Sequence, residues 1–319
     1  MKVYNDIVKL NINNPSVTIG VFDGLHLGHL KLIENTINEA KNINGYSIII
    51  TFYPHPRLII DNIAHQIKIL TTLEEKQILL EKYGVDYLII IPFTKKFARL
   101  SSKKFIKKYL IEKINAHSVI IGYNHHFGKD REGDHNTFLE LAEKYKIKVN
   151  KIDALTIDGI KISSTIIRKE IIEGNIEKAN KYLGYEYFLI GKITYGNKIG
   201  SKIGFPTANI LYEDNFKLIP KQGVYAVFII HQQTLYKGMM NIGYRPTFYN
   251  NSKNLILEVH IFDFEKDIYN SKIFVIFVAR LRDEKKFNST EELKEQLNSD
   301  KIKSLEILNN YKINNKVFL

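Results

Sequence analysis

The amino-acid sequence predicts an α/β domain built on a parallel sheet, followed by a mostly antiparallel β-barrel that ends in a helix. Three observations lead there. Short β-rich runs alternate with amphipathic stretches through the first half, the pattern of a parallel sheet with helices on both faces. A purely helical passage lies between Ser163 and Gly184. Beyond it, strand-like runs follow one another with turns between them, as in a small barrel.

In order, Val17 to Val21 reads as a buried strand, and His29 to Asn42 as a helix with Leu30, Ile33 and Ile37 at helical spacing; Tyr46 to Phe52 is again strand-like. Leu73 to Tyr83 is a helix, Tyr87 to Ile91 a strand, Ser101 to Ile114 a helix capped by serine, and Ser118 to Gly122 a strand. Ser163, Ser164 and Thr165 offer hydroxyl caps to a helix that Gly174 breaks, and Gly184 ends the next one. Strands are then expected at Phe188 to Thr194, Gly223 to Ile230, Leu235 to Met240, Leu255 to Phe262 and Lys272 to Ala279, with a helix from Thr290 to Asn298. The boundary is expected near Gly184 to Tyr187, giving domains over 1–184 and 185–319.

A chain of 319 residues, 45% hydrophobic and 25% charged, can bury a substantial core. It has no cysteine, which excludes disulfides, thiolate metal sites and cysteine nucleophiles. Apolar stretches such as Ile273 to Ala279 fall far short of the roughly 20 residues that span a bilayer. No export signal or membrane partner is expected, and a cytoplasmic location is the default reading. The net charge of +12 suits a polyanion or a phosphate-bearing substrate. The lysines are scattered rather than clustered, so a nucleic-acid partner is not expected.

Residues 20–29, GVFDGLHLGH, run from a strand through a Gly-rich turn into a helix. The first amides of a helix have no internal partner and attract anions. His26 and His29, three apart at that turn, can both face one bound phosphate chain and stabilise charge in phosphoryl or nucleotidyl transfer. Asp23 and the neighbouring glycines strengthen that reading. The generic alternatives fail: there is no G-x-x-x-x-G-K-[ST], no G-x-G-x-x-G and no His-Glu-x-x-His. A second candidate, ISSTIIR at 162–168, sets hydroxyls at a helix start with Arg168 one turn on, an arrangement able to close over the far phosphates of a nucleotide.

VTIGVFDGLHLGH at 17–29, TFYPHP at 51–56, GYNHHFGKDREGD at 122–134 and ISSTIIR resemble the adenylyltransferase module of bacterial bifunctional riboflavin kinase/FAD synthetases. GFPTAN at 204–209, QGVYAV at 222–227, MNIGYRPTF at 240–248 and LEVHIFDFEKDIY at 257–269 resemble that family's kinase module. The resemblance implies a Rossmann-like nucleotidylyltransferase domain of the His-x-Gly-His superfamily joined to a six-stranded riboflavin kinase barrel. It implies two Mg2+-dependent reactions: riboflavin and ATP give FMN, then FMN and ATP give FAD and pyrophosphate.

Carried over residue by residue, the resemblance makes His26, His29 and Glu258 catalytic. It gives nucleotide and phosphate contacts to Gly20, Phe22, Asp23, Gly24, Gly28, Asn124, Ser164, Thr165, Arg168, Gly204, Pro206, Thr207 and Asn209. Thr207 and Asn209, two apart and on one face, also suit magnesium. Phe52, Pro54, His55, Pro56 and Arg245 fall to the flavin side. The implied ligands are riboflavin, FMN, FAD and ATP; the oligomeric state is left open. Tyr195, Ile199 and Ser201 stand where the family is commonly basic, and LGYEY at 183–187 replaces a common arginine-proline pair. On those departures rests a second reading, an FAD synthetase whose barrel binds flavin without phosphorylating it. A third, an RNA-binding relative of the histidine-motif synthetases, rests on charge alone.

Overall fold

In the computed structural model the residues described are 1–319 apart from Val8, 61–66, 124–127, 130–132, Asp134, 196–199, 201–202, 247–252 and Leu319. They form two compact units, Met1–Ser164 and Thr165–Leu319.

The first unit is organised by strands whose sequences are nearly continuous runs of β-branched and apolar residues, such as SVTI, SIIITF and SVII. Such runs suit strands buried on both faces. β1 (Lys2–Asn5), β2 (Pro15–Ile19), β3 (Tyr46–Tyr53), β4 (Tyr87–Pro92), β5 (Ser118–Gly122) and β6 (Lys148–Ile152) pair in the order β1-β4-β3-β2-β5-β6, all parallel. Helix α1 (Leu27–Asn42) packs on β2, β3 and β5 through a stripe that includes Leu30, Ile33 and Ala40. α2 (Pro56–Ile60), α3 (Leu73–Lys82) and α4 (Lys95–Ala98) follow. Thr72 opens α3 with a complete capping box, its hydroxyl accepting from the Glu75 amide while the Glu75 carboxylate accepts from the Thr72 amide.

One expected helix takes another form. Ser101 does cap α5 (Ser102–Phe105), but the chain then continues as a π-helix over Ile106–Lys113. This stretch has the wider i→i+5 bonding, and Phe105, Ile106, Tyr109, Leu110 and Ile114 join one buried cluster with Val17, Ile48 and Val119 of the sheet. α6 (His135–Lys144) and the hairpin β7 (Thr156–Ile157) with β8 (Ile160–Lys161) complete this unit.

In the second unit, β9 (Phe188–Thr194), β10 (Ala208–Leu211), β11 (Gly223–His231), β12 (Thr234–Pro246), β13 (Lys253–Ile261) and β14 (Lys272–Arg282) close into an antiparallel barrel in the order β10-β13-β12-β11-β14-β9. Closure leaves no sheet edge. β10 is the strand the periodicity does not reveal, and it closes the ring. The terminal helix α9 spans Thr290–Asn310, longer than the expected Thr290 to Asn298, and α10 (Asn315–Phe318) ends the description.

The division after Ser164 puts α7 (Ser164–Glu173), all but its first residue, and α8 (Ile176–Leu183) with the barrel, twenty residues before the expected junction. Side-chain chemistry explains it. Asn180 of α8 donates to the Phe277 carbonyl on β14 at 2.9 Å and accepts from the Tyr187 amide at 2.7 Å. The Lys221 amide donates to the Ile171 carbonyl of α7 at 3.2 Å. Gly174 and Gly184 have φ of +87° and +81° and end these helices as expected. Replacing Asn180 with Leu strands two buried backbone groups, so the barrel unit is expected to lose about 2–4 kcal/mol in a denaturant titration.

Candidate active sites

β2 runs into Gly20 and then a buried turn that delivers the chain to α1. Phe22 and Leu25 hold φ of +49° and +34°, a region that costs bulky L-residues roughly 1–2 kcal/mol each. Their side chains are almost completely buried, so core packing offsets the strain. A Cβ on Gly20 would sit 3.0 Å from the Phe22 ring, which explains the absence of a side chain there.

The turn is tied down from several sides. Asp23 Oδ1 accepts from the Leu70 and Thr71 amides at 2.8 and 3.2 Å, and the Gly24 amide donates to Thr71 Oγ1 at 3.0 Å. The Ser164 hydroxyl donates to the Asp23 carbonyl at 2.9 Å, which joins the start of the ISST segment to the FDG turn. Asp23, expected among the phosphate contacts, has its carboxylate engaged with backbone amides.

At the end of this turn His26 is the N-cap of α1, its Nδ1 accepting from the His29 amide at 3.3 Å. A ring that accepts at Nδ1 carries its proton on Nε2 when neutral. The two imidazoles stack with centroids 3.6 Å apart and planes 18° apart, and Phe22 meets His29 edge-on at 5.3 Å. A Cβ on Gly28 would lie 3.2 Å from the His26 ring, so glycine leaves room for the pair. His29 Nδ1 is buried with no hydrogen-bond partner among the described residues. Desolvation, with the charges of His26 and Lys76, holds the His29 pKa well below the usual imidazole value, so His29 is neutral at pH 7.

Lys76 was not singled out by the sequence reading. It lies on α3 in the same buried stripe as Leu79 and Leu80, and a lysine at that spacing was the signal available. Its ammonium donates to the Val21 carbonyl at 2.7 Å and to Thr51 Oγ1 at 3.3 Å, while Thr51 Oγ1 also donates to Val21 at 3.1 Å. Burial pushes its pKa down to about 8, with Asp23 opposing the shift.

Of the residues assigned to the flavin side, Pro54 lines an open surface hollow with Leu58, Ile59, Ile60, Phe93, Thr94 and Lys95. Phe52 packs edge-on against Phe93 at 5.7 Å. Pro56 begins α2, and His55 Nδ1 accepts from the Arg57 amide at 3.2 Å. Asn124 lies outside the described residues, as do Ile199 and Ser201. Thr165 and Arg168 lie on α7, past the division between the units.

In the barrel, β13 buries Leu257 and Val259 and turns the half-buried Glu258 to the opposite face. Asn209 of β10 and Asn241 of β12 are the cross-strand neighbours of Glu258, so a carboxylate sits between two amides. The GFPTAN segment reaches β10 through a tight turn. The Ile203 and Phe205 amides both donate to the Gly200 carbonyl, at 3.1 and 2.9 Å, and Gly204 has φ +86°. A Cβ on Gly200 would fall 2.1 Å from the Phe205 carbonyl oxygen. Thr207 at the end of that turn is exposed, and Pro206 carries an accepting carbonyl. Arg245 falls within β12, with its side chain outside the description.

A parallel α/β sheet with paired histidines at its strand-to-helix turn, and a closed barrel with the Glu258 carboxylate on the strand beside a Gly-rich turn, define a nucleotide-dependent transferase of two units. Residues 9–166 match the FAD synthetase family and residues 183–308 the riboflavin kinase family. A bifunctional riboflavin kinase/FMN adenylyltransferase of Buchnera aphidicola subsp. Schizaphis graminum is 39% identical over 309 residues, covering 96% of each chain. One of Listeria monocytogenes is 39% identical over 292 residues, covering 90% of each. A crystal structure described as a macrolide-efflux protein from Streptococcus pneumoniae aligns with a TM-score of 0.86 and 29% identity, covering 98% of this chain and 100% of that one. The chain belongs to the bifunctional riboflavin kinase/FMN adenylyltransferase family. Among the described residues no helix is long and apolar enough to cross a membrane.

Lys76 offers a test of the first site's electrostatics. A lysine lowered from 10.5 to about 8 in the folded chain binds fewer protons there than when unfolded, so stability rises with pH between those values. Relative to Lys76→Met, the native protein is expected to gain stability on the order of 3 kcal/mol between pH 8 and 10.5, read from denaturant midpoints.

Proposed function

We infer that this chain makes flavin cofactors in two ATP-dependent steps, phosphorylating riboflavin to FMN and adenylylating FMN to FAD. The carrying observation is the pair of family matches, each falling on the unit whose geometry suits it. Functionally, we assign adenylyl transfer to residues 1–184 and the kinase reaction to 185–319. The riboflavin kinase match over 183–308 favours this reading over a synthetase with an inert barrel.

In adenylyl transfer an FMN phosphate oxygen attacks the α-phosphorus of ATP and pyrophosphate leaves. The nucleophile is already anionic, so the work is positioning and charge neutralisation rather than proton removal. His26 donates from Nε2 towards the α-phosphate, beside His29 and the free amides at the start of α1. Asp23, Gly20, Phe22, Gly24 and Gly28 shape the turn that holds both rings. Ser164 positions the helix start, and the resemblance assigns Thr165, Arg168 and Asn124 to the remaining phosphates and nucleotide. Phe52, Pro54, His55 and Pro56 form the flavin side, where Pro54 and Phe93 line an open hollow.

In the kinase reaction the ribityl hydroxyl attacks the γ-phosphorus, ADP leaves, and Glu258 accepts the hydroxyl proton. Gly204 and Pro206 let the backbone approach the phosphates, and Arg245 lies on the flavin side. Thr207 and Asn209 supply a hydroxyl and an amide oxygen, hard donors suited to magnesium. No group of three or more His, Cys, Asp or Glu side chains that could cage a metal occurs among the described residues. When bound, Mg2+ would neutralise charge on the transferring phosphates. ATP as co-substrate of both steps supports a cytoplasmic location.

Product chromatography tests the reading: riboflavin with ATP and Mg2+ should yield FMN and then FAD, and FMN alone should yield FAD. Glu258→Gln is expected to cut FMN formation about 10²-fold or more and leave FAD formation from FMN intact, with His29→Ala doing the reverse. Loss of the same single step in both variants would sink the two-site assignment.

A further inference from the structure

His260 follows Glu258 by two residues on β13 and so shares its face. It is 7% exposed, packed edge-on between Phe205 at 5.3 Å and Phe262 at 5.6 Å. Its Nδ1 lies 2.7 Å from the carbonyl oxygen of Pro206. A carbonyl only accepts, so Nδ1 carries the proton.

The place of this bond gives it meaning. β10 pairs with β13 through Ala208 opposite Val259 and Asn209 opposite Glu258. Continuing that register sets Thr207 opposite His260, at the point where the chain leaves the sheet for the Gly200–Phe205 turn. Pro206 has no amide to give a ladder bond. The His260 side chain therefore ties the segment bearing Thr207 to the strand bearing Glu258 where the backbone ladder gives out.

We propose that His260 is a positioning residue of the kinase site, its Nδ1–H fixing the GFPTAN turn, and with it the bound phosphates, relative to the Glu258 carboxylate. The inference rests on the reading of the barrel as a kinase. An error of about 1 Å between reacting groups costs on the order of 10² in rate, so a bond that sets this spacing carries catalytic weight without touching substrate.

Two full-length variants separate this role from packing. His260→Leu fills similar volume without a donor, whereas the Nδ2 of His260→Asn stands where the imidazole Nδ1 does. In His260→Leu we expect kcat for riboflavin phosphorylation to fall about 10²-fold with a raised KM for ATP, while FAD formation from FMN stays within twofold. His260→Asn should recover kcat to within about tenfold of the native value. Unchanged kinase activity in His260→Leu, or equal losses in both variants, overturns the proposal. If the leucine variant fails to fold, the native protein still decides: its ¹⁵N–¹H imidazole spectrum must hold an Nδ1-protonated ring that His260→Asn lacks, and an Nε2-protonated ring there overturns the proposal. Native protein that makes no FMN would instead sink the kinase reading itself.

Discussion

The first unit depends on a short turn held in a conformation its own residues disfavour. Phe22 and Leu25 adopt left-handed backbone angles because their side chains reach the core, and the polar groups of the turn are met from outside by the Leu70 amide, Thr71, Lys76 and Ser164. Strain held by surrounding structure in this way is typical of functional sites. Its result is a fixed launch of α1, with His26 as cap and His29 stacked on it. Lys76 is a costly member of this frame, since burying an ammonium opposes folding at neutral pH. Hydrophobic residues could fill that volume; burial, and after it the charges of His26 and Lys76, keeps His29 uncharged.

The barrel solves a related problem by other means. Period-two alternation lets Leu257 and Val259 pack while Glu258 faces the other way, and closure by β10 brings Asn209 beside it. The turn before β10 is compressed around the Gly200 carbonyl and is then met by His260. In both units a Gly-rich turn is steadied by a buried side chain that bonds a backbone carbonyl: Lys76 at Val21 and His260 at Pro206.

Much of this was legible in the residue pattern. The central strands of the sheet, helix α1, β5 and β9, and the barrel strands β11, β13 and β14 follow from runs of β-branched residues and helical spacing, with ends displaced by a few residues. The edge strands β1 and β6, KVYN and KVNKI, are polar or mixed and carry no strong period; pairing with a neighbour, not local preference, makes them strands. β10, ANIL, is too short to stand out. The π-helix has no local signature, since its buried Ile106, Tyr109 and Leu110 have the spacing of an ordinary α-helix face as well. His26, His29 and Glu258 stand out by motif context, whereas Lys76 and His260 bond backbone carbonyls, whose positions no side-chain pattern reports. The packing of α8 on the barrel is hidden for the same reason: Asn180 reads as one more polar helix residue until its two backbone partners are seen.

That asparagine has a bearing on how the chain can be divided. Severing it between Gly184 and Tyr185 would take away the amide that satisfies Tyr187 and Phe277 and the helix whose Ile171 carbonyl meets Lys221. A gene truncated at the start of the riboflavin kinase homology would thus encode a barrel with an open wound on one flank, prone to clump, while one beginning near residue 164 would keep its own dressing.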